Sequence, residues 1–312
     1  MKIHFWGVRG SLPAPLTPVQ VQSKISAAVQ RITAADIKDS ESRERFLANL
    51  PEWIFGTAGG NSPCVEVISS ENKHVILDAG TGLRLLAEKS SLPPDMHYDM
   101  LFSHIHWDHI QGFPYFDFAY NPRVSLDIYS PFENMSEKLS EQMKSPYYPV
   151  TIESMTRKMK FHTVSADTVF SAGGMDAVCY RMNHPGGSYA YALCENDRKF
   201  VYATDTEIDS SNFEAGTAEK TVFENADVLV LDSQYTVEDA FTKQHWGHTA
   251  FCYAVDFAAA WHVKKLFLFH HDPAYDDRKL NSILDSARWY ASYSGHKDLE
   301  VYLATEGTEI VL

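Results

Sequence analysis

One heptapeptide constrains this chain more than any other feature: Ser103-His104-Ile105-His106-Trp107-Asp108-His109, which begins where the apolar run at 100–102 ends. Four side chains able to ligate a metal fall within six positions, and three of the chain's 14 histidines are among them. In an extended segment His104 and His106 point to one side, and a turn just afterwards can swing Asp108 and His109 to a neighbouring point. One short loop can thus serve two metal ions. A polar surface turn explains the pattern poorly, because histidine is uncommon and an aspartate stands among the three.

Two adjacent ions, each about four-coordinate, need about seven or eight donor positions, so further His or Asp residues are expected where later strands end. They are present. Asn183-His184-Pro185-Gly186-Gly187 follows the strand-like run at 177–182, Asp205 ends the run at 200–204, and His270 ends the run at 266–269. Each stands where apolar residues give way to Gly, Pro or polar ones, the usual place for functional groups held by a rigid sheet. His271 is the alternative to His270, and strand alternation favours His270.

Short apolar runs bounded by Gly, Pro, Asn or Asp also occur at 3–8, 64–68, 75–77, 124–129, 199–203, 228–231, 265–269 and 300–303, and these read as strands. Helical spacing is clearest at 249–261, where Phe251, Ala254, Val255, Ala258 and Trp261 form one stripe, and again at 280–293. Thr17-Pro18 offers an N-cap followed by proline, with Val21, Ile25, Ala28, Val29 and Ile32 behind it at helical spacing. With a second helix at 40–50, residues 17–55 read as a helical insert in one domain spanning 1–312. Its apolar stripe could be a lid, a homodimer contact, or packing on the core, the commonest fate of such a stripe.

Composition narrows the class. With 45% hydrophobic and 22% charged residues the chain is neither disordered nor fibrous. A net charge of −14 argues against extended nucleic acid, but not against a compact anion bound at a metal centre, where the cations dominate the local field. Cys64, Cys179, Cys194 and Cys252 form no C-x-x-C pair, so neither a disulfide framework nor a thiolate zinc site is signalled and a reducing cytoplasm fits. Residues 1–7 lack a signal-peptide pattern, and no run approaches a membrane span of about 18 apolar residues. The expectation is a cytoplasmic protein with no membrane partner.

The H-x-H-x-D-H pattern at 104–109, with the later strand-end donors, resembles the metallo-β-lactamase fold superfamily. Phe5-Trp6-Gly7-Val8-Arg9-Gly10-Ser11, Gly59-Gly60-Asn61 and Gly247-His248-Thr249 resemble its phosphodiesterase branch, which includes tRNase Z and the phosphoribosyl cyclic phosphodiesterases. The resemblance implies an α+β four-layer αββα sandwich. It implies that His104, His106 and His184 hold one metal, that Asp108, His109 and His270 hold the other, and that Asp205 bridges them. Asp78 resembles the family's buried structural aspartate. The ions expected are two divalent cations, by default zinc, with manganese or iron also suited to nitrogen and oxygen donors.

The same resemblance implies that His248 binds phosphate and assists the leaving group, with Asp232 in the place of its acidic partner, although Asp232-Ser233-Gln234-Tyr235-Thr236 departs from the His-Glu-Ala-Thr motif of tRNase Z. A hydroxide bridging the two metals would attack phosphorus, with Asp108 helping to orient the water. Residues 132–160 mix acidic and basic side chains and show no Gly-rich basic arm. The expected substrate is therefore a small or cyclic phosphodiester, a cyclic nucleotide or cyclic sugar phosphate. The alternatives are a tRNase Z-like endoribonuclease and a lactonase or other carboxylic ester hydrolase on the same binuclear site. Phe113, Tyr115, Phe116, Tyr147 and Tyr148 could stack on a nucleobase, though aromatics beside Pro114, Pro146 and Pro149 are more often loop packing.

Overall fold

The computed structural model describes residues 1–213 and 216–312. Six strands follow one another into a first sheet: β1 (Lys2–Gly7), β2 (Cys64–Ile68), β3 (His74–Leu77), β4 (His97–Leu101), β5 (Ser125–Ser130) and β6 (Met159–Thr163). Seven more build a second: β7 (Phe170–Ala172), β8 (Met175–Met182), β9 (Ser188–Glu195), β10 (Arg198–Ala203), β11 (Val228–Asp232), β12 (Lys265–Phe269) and β13 (Glu300–Leu303). The last strand, β14 (Glu309–Val311), returns to pair with β1.

Both sheets share one plan. Antiparallel neighbours (β1, β2 and β3; β7 to β10) lead into parallel ones (β3 to β6; β10 to β13). Parallel strands present their C-terminal ends together, and the connections leaving those ends are where open α/β sheets place functional groups. The inner faces meet over Phe5, Val65, Val75, Leu77, Tyr191, Phe200, Val230 and Phe269. Helices cover both outer faces: Leu83, Leu86, Met135 and Leu139 pack on the first sheet, and Ala254, Val255, Leu280 and Ile283 on the second. The result is the four-layer αββα sandwich.

Four strands lie outside the runs that the sequence marks as strands: β6, β7, β9 and β14. Edge strand β6 carries Lys160 and His162 and is nowhere fully buried, while Ser188-Tyr-Ala-Tyr-Ala-Leu-Cys-Glu195 packs small residues against the neighbouring strands. β6 lacks the apolar run that announces a buried strand, whereas β9 has one at 189–194 but without a β-branched residue. The helix expected from Thr249 spans Phe251–Ala260, because Thr249 instead donates its hydroxyl to Thr206 O and accepts from Ile208 N (3.1 Å).

Between β1 and β2 lie helices Pro18–Val29, Ser40–Ala48 and Glu52–Phe55. Thr17 and Gln20 form a capping box at the first, and Asp39 caps the second. Core packing of the first helix is not what the structure has, since none of its residues is buried and Ile25 and Val29 are 59% and 64% exposed. Its hold comes from the polar side: Lys24 Nζ reaches Trp53 O (2.6 Å), Gly56 O (2.7 Å) and Asp277 Oδ2 (2.6 Å). Among the described residues no helix is long and apolar enough to cross a membrane.

Candidate metal centre

Asp78, the residue after β3, organises the entry to the site. It has a left-handed φ of 60° and is buried, with Oδ1 accepting from Ser103 N (2.8 Å) and Oδ2 from Ser103 Oγ (2.7 Å), Tyr202 OH (2.8 Å) and His109 Nδ1 (2.8 Å). Because Ser103 Oγ donates to Asp78, it accepts from His104 Nδ1 at 3.0 Å. Both histidines thereby have Nδ1 committed as a donor and Nε2 turned into the site; burial keeps His104 neutral, whereas at His109 burial is outweighed by Asp205 and Asp108, which push its pKa up and give it a charge that a cation there would replace. The turn expected after His106 is a short helix, Trp107–Ile110, which buries Asp108 and His109.

The donors converge as two groups sharing Asp205. His104, His106, His184 and Asp205 form one, Asp108, His109, Asp205 and His270 the other, and within each the ligand atoms lie within 4.8 Å of one another. Asp205 Oδ2 faces His104 Nε2 (3.5 Å) and His184 Nε2 (3.9 Å), while Oδ1 faces His109 Nε2 and His270 Nε2 (3.2 Å each). Asp108 Oδ2 is 3.2 Å from His109 Nε2 and 3.1 Å from His270 Nε2. His271 is not part of either group: its Nε2 donates to Ala304 O (2.8 Å), and burial, with Arg9 nearby, pushes its pKa down to about 3.

These residues fit divalent cations. His104 Nε2 is buried without a hydrogen-bond partner, and burial holds the pKa of both His104 and His184 below its ordinary value, so both are neutral. His184 donates Nδ1–H to Gly247 O (2.9 Å), so its Nε2, 3.2 Å from His106 Nδ1, is a bare lone pair. Neutral imidazole lone pairs turned on a common point beside carboxylates are what a cation satisfies and a proton does not. Burial disfavours ionised Asp108 and Asp205, yet the surrounding histidines hold both carboxyls below the usual range.

Residues outside the donor set shape it. A Cβ on Gly247, whose φ is +86°, would lie 2.2 Å from His184 Nδ1, and one on Gly10 would lie 2.5 Å from His270 Nδ1. Ser11 N donates to Asp108 Oδ2 (2.8 Å), and Arg9 Nε donates to Gly59 O (2.8 Å). The 5–11 and 59–61 motifs thus back the ligands. Gly10, Ser11 and Gly247 belong to motifs quoted from the sequence, which gave them no role of their own; Trp107 and Trp246, 69% and 63% exposed beside His106 and Gly247, were not singled out, and their only signal was adjacency to a ligand or to the Gly-His-Thr motif. Of the aromatic candidates, Phe113 and Phe116 are core, Tyr148 donates its hydroxyl to Pro114 O (3.0 Å), and Tyr115 and Tyr147 are exposed.

His248 lies beside both groups, its ring centroid 5.0 Å from that of His270 and 5.4 Å from that of His184. Its Nδ1 meets Asp232 Oδ2 at 2.6 Å. Asp232, fully buried at the end of β11, also accepts from Thr206 N (3.2 Å), Gln234 N (3.0 Å) and Thr249 N (3.3 Å). Burial opposes charge on His248, but the Asp232 carboxylate outweighs it and pushes the pKa up to about 9. His245 is exposed, with its backbone N–H on Glu207 Oε1 (3.1 Å).

A family model described as the β-lactamase superfamily domain matches residues 73–271. The chain belongs to the metallo-β-lactamase-fold superfamily. Among curated relatives, a ribonuclease Z from Prochlorococcus marinus (strain MIT 9515) is 23% identical over 256 residues, 66% of this chain and 80% of that protein. Among solved structures, the metallo-β-lactamase fold protein YhfI from Bacillus subtilis aligns with a TM-score of 0.65 at 18% identity over 99% of both chains. A diphosphatase from the PhnP family aligns at 0.63 and 16% identity, covering 100% of this chain and 97% of that one. With its paired His/Asp groups, this superfamily member is a binuclear metallo-hydrolase.

Proposed function

We propose that this metallo-hydrolase cleaves a small or cyclic phosphodiester, such as a cyclic nucleotide or a cyclic sugar phosphate. The observation that carries the reading is the Asp232–His248 pair, with Nδ1 and Oδ2 2.6 Å apart, held beside both donor groups. His104, His106, His184 and Asp205 would hold one divalent cation and Asp108, His109, Asp205 and His270 the other, zinc being the default and manganese or iron also suited. Two such ions supply an activated water and neutralise charge on phosphoryl oxygens. With Nδ1 fixed on Asp232, His248 has Nε2–H free to donate to a phosphoryl oxygen or to the departing alkoxide. Asp108 would orient the attacking water, and Asp232 keeps His248 charged and in position.

Three observations favour a small substrate over RNA. The net charge is −14. Residues 132–160 fold onto the first sheet through Met135, Leu139, Met143 and Met155 instead of forming a projecting basic arm. Exposed Trp107 and Trp246 offer flat apolar surface beside His106 and Gly247 for one base or sugar. The ribonuclease Z relatives support the endoribonuclease as second reading. The exposed stripe of helix Pro18–Val29 supports a homodimer, and the uncapped thiols a cytoplasmic setting.

The test is hydrolysis of bis(p-nitrophenyl) phosphate, 2′,3′- and 3′,5′-cyclic nucleotides, a precursor tRNA and a simple lactone by metal-replete protein, with a chelated control and His248→Ala. Chelator-sensitive phosphodiester cleavage that falls about 10²–10⁴-fold in His248→Ala is expected. Lactone turnover without phosphodiester turnover, unaffected by His248→Ala, would overturn the reading, and selective precursor-tRNA cleavage would favour the endoribonuclease.

A further inference from the structure

A second group of metal-type donors lies at the other end of β4. His97 and Asp99, on β4, share a face with Asp127 on β5, where Asp99 pairs in register with Asp127 and His97 with Ser125. Leu101, on the same face, belongs to the core between the sheets, so this group sits at the inter-sheet seam. His97 precedes His104 by seven residues of largely extended chain, roughly 20 Å, which puts it far from the catalytic cluster.

Each donor is held from behind and turned inward. His97 Nδ1 is 2.9 Å from Ser125 Oγ, and its Nε2 hydrogen-bonds Asp99 Oδ1 (3.0 Å) and faces Asp127 Oδ2 (3.7 Å), so that without metal the Asp99 bond raises the His97 pKa and a cation would take the place of that proton. Asp99 Oδ2 accepts from the backbone N–H of Gly173 at 2.5 Å. The outer oxygen of Asp127, Oδ1, faces His162 Nε2 (3.0 Å) and, at 3.9 Å, the exposed Lys160 Nζ. The His162 ring in turn stacks on Tyr129, with centroids 4.7 Å apart. Ligand atoms of His97, Asp99 and Asp127 lie within 4.8 Å of one another, the spacing found in both catalytic groups. An outer-shell bond on Nδ1 with Nε2 turned to a carboxylate is the arrangement also seen at His184 and His109.

We propose that His97, Asp99 and Asp127 bind a further divalent cation of the zinc or manganese class, with His162 positioning Asp127. One nitrogen and two carboxylate oxygens suit such an ion, with water completing its shell. Through Asp99 and the Gly173 N–H the ion joins β4 and β5 of the first sheet to the β7–β8 turn of the second. Its role is to staple the sandwich at the end away from catalysis.

The experiment counts metal. Full-length protein stripped of ions is titrated with Zn²⁺, and bound metal per chain is measured by mass spectrometry after gel filtration, for the wild type and for H97Q/D127N. The expected result is one equivalent fewer in the variant, unchanged bis(p-nitrophenyl) phosphate hydrolysis, and loss of the final Zn²⁺-dependent rise in melting temperature. Equal metal content and equal rises would overturn the proposal and leave a charged His97 bridging two carboxylates without metal. D127N alone, which keeps the side chain's shape, gives the same comparison if the double variant does not fold.

Discussion

At the scale of single residues, the proposed phosphodiesterase reading rests on His248 and Asp232, because one fold hosts many chemistries and only the site can choose among them. The Asp232 carboxylate raises the His248 pKa, so the charged imidazole is kept at low pH and lost as pH rises through a value of about 9 in the metal-free site. Nearby cations move that value down, and removing the carboxylate charge moves it further. Asp232→Asn is therefore expected to shift the basic limb of the kcat/KM–pH profile to lower pH, and an unmoved limb would show that Asp232 does not tune His248. Gly247 has a different constraint. Gly247→Ala forces a side chain into a left-handed φ, costing about 1–2 kcal/mol, and into contact with His184 Nδ1. The expected outcome is loss of about one metal equivalent per chain by elemental analysis, from the group containing His184.

At the scale of elements, the short helix Trp107–Ile110 and the loop before His248 each place a tryptophan in solvent next to site residues. Base stacking on an aromatic side chain is worth about 1–3 kcal/mol, so Trp107→Ala and Trp246→Ala should raise KM for nucleotide substrates roughly tenfold and leave kcat within about twofold. Equal effects on bis(methyl) phosphate would show that the rings do not read a base. The helix Pro18–Val29 shows the limit of periodicity as a guide to burial. Val21, Ile25 and Val29 have the spacing of a core face, yet Lys24 on the flank of that stripe makes the anchoring contacts with Trp53, Gly56 and Asp277. If that stripe joins two copies, Ile25→Asp with Val29→Asp should halve the mass measured by light scattering, and a monomeric wild type would dismiss the contact.

For the whole molecule, the catalytic donors come from both halves. Asp78 and residues 104–109 follow strands of the first sheet, while His184, Asp205, Asp232, His248 and His270 follow or flank strands of the second. Bound ions therefore join the sheets at one end of the sandwich and stabilise the folded state by mass action, about 2.7 kcal/mol for each site at a hundredfold excess over Kd. Chelation is expected to lower the melting temperature by about 5–10 °C in differential scanning calorimetry. A melting temperature that stays put after complete metal removal would mean that the seam is held by its apolar core alone.

What the sequence determined by itself was local. The H-x-H-x-D-H spacing, the donors at strand ends and the N-cap at Thr17 with Pro18 behind it are written within a few residues, where chain geometry dictates which side chains share a face. The strands with strong apolar runs were legible for the same reason. Only the tertiary structure decided that His270 enters the cluster while His271 turns to Ala304 O, since both lie at the same strand end and the choice depends on strands far away in sequence. It also brings Asp232 to His248, as the resemblance implies, and it decided that Gly10 and Gly247 back the ligands and that His97, Asp99 and Asp127 converge. These contacts arise from strand register and sheet packing across tens to hundreds of residues, and no short window of sequence contains them.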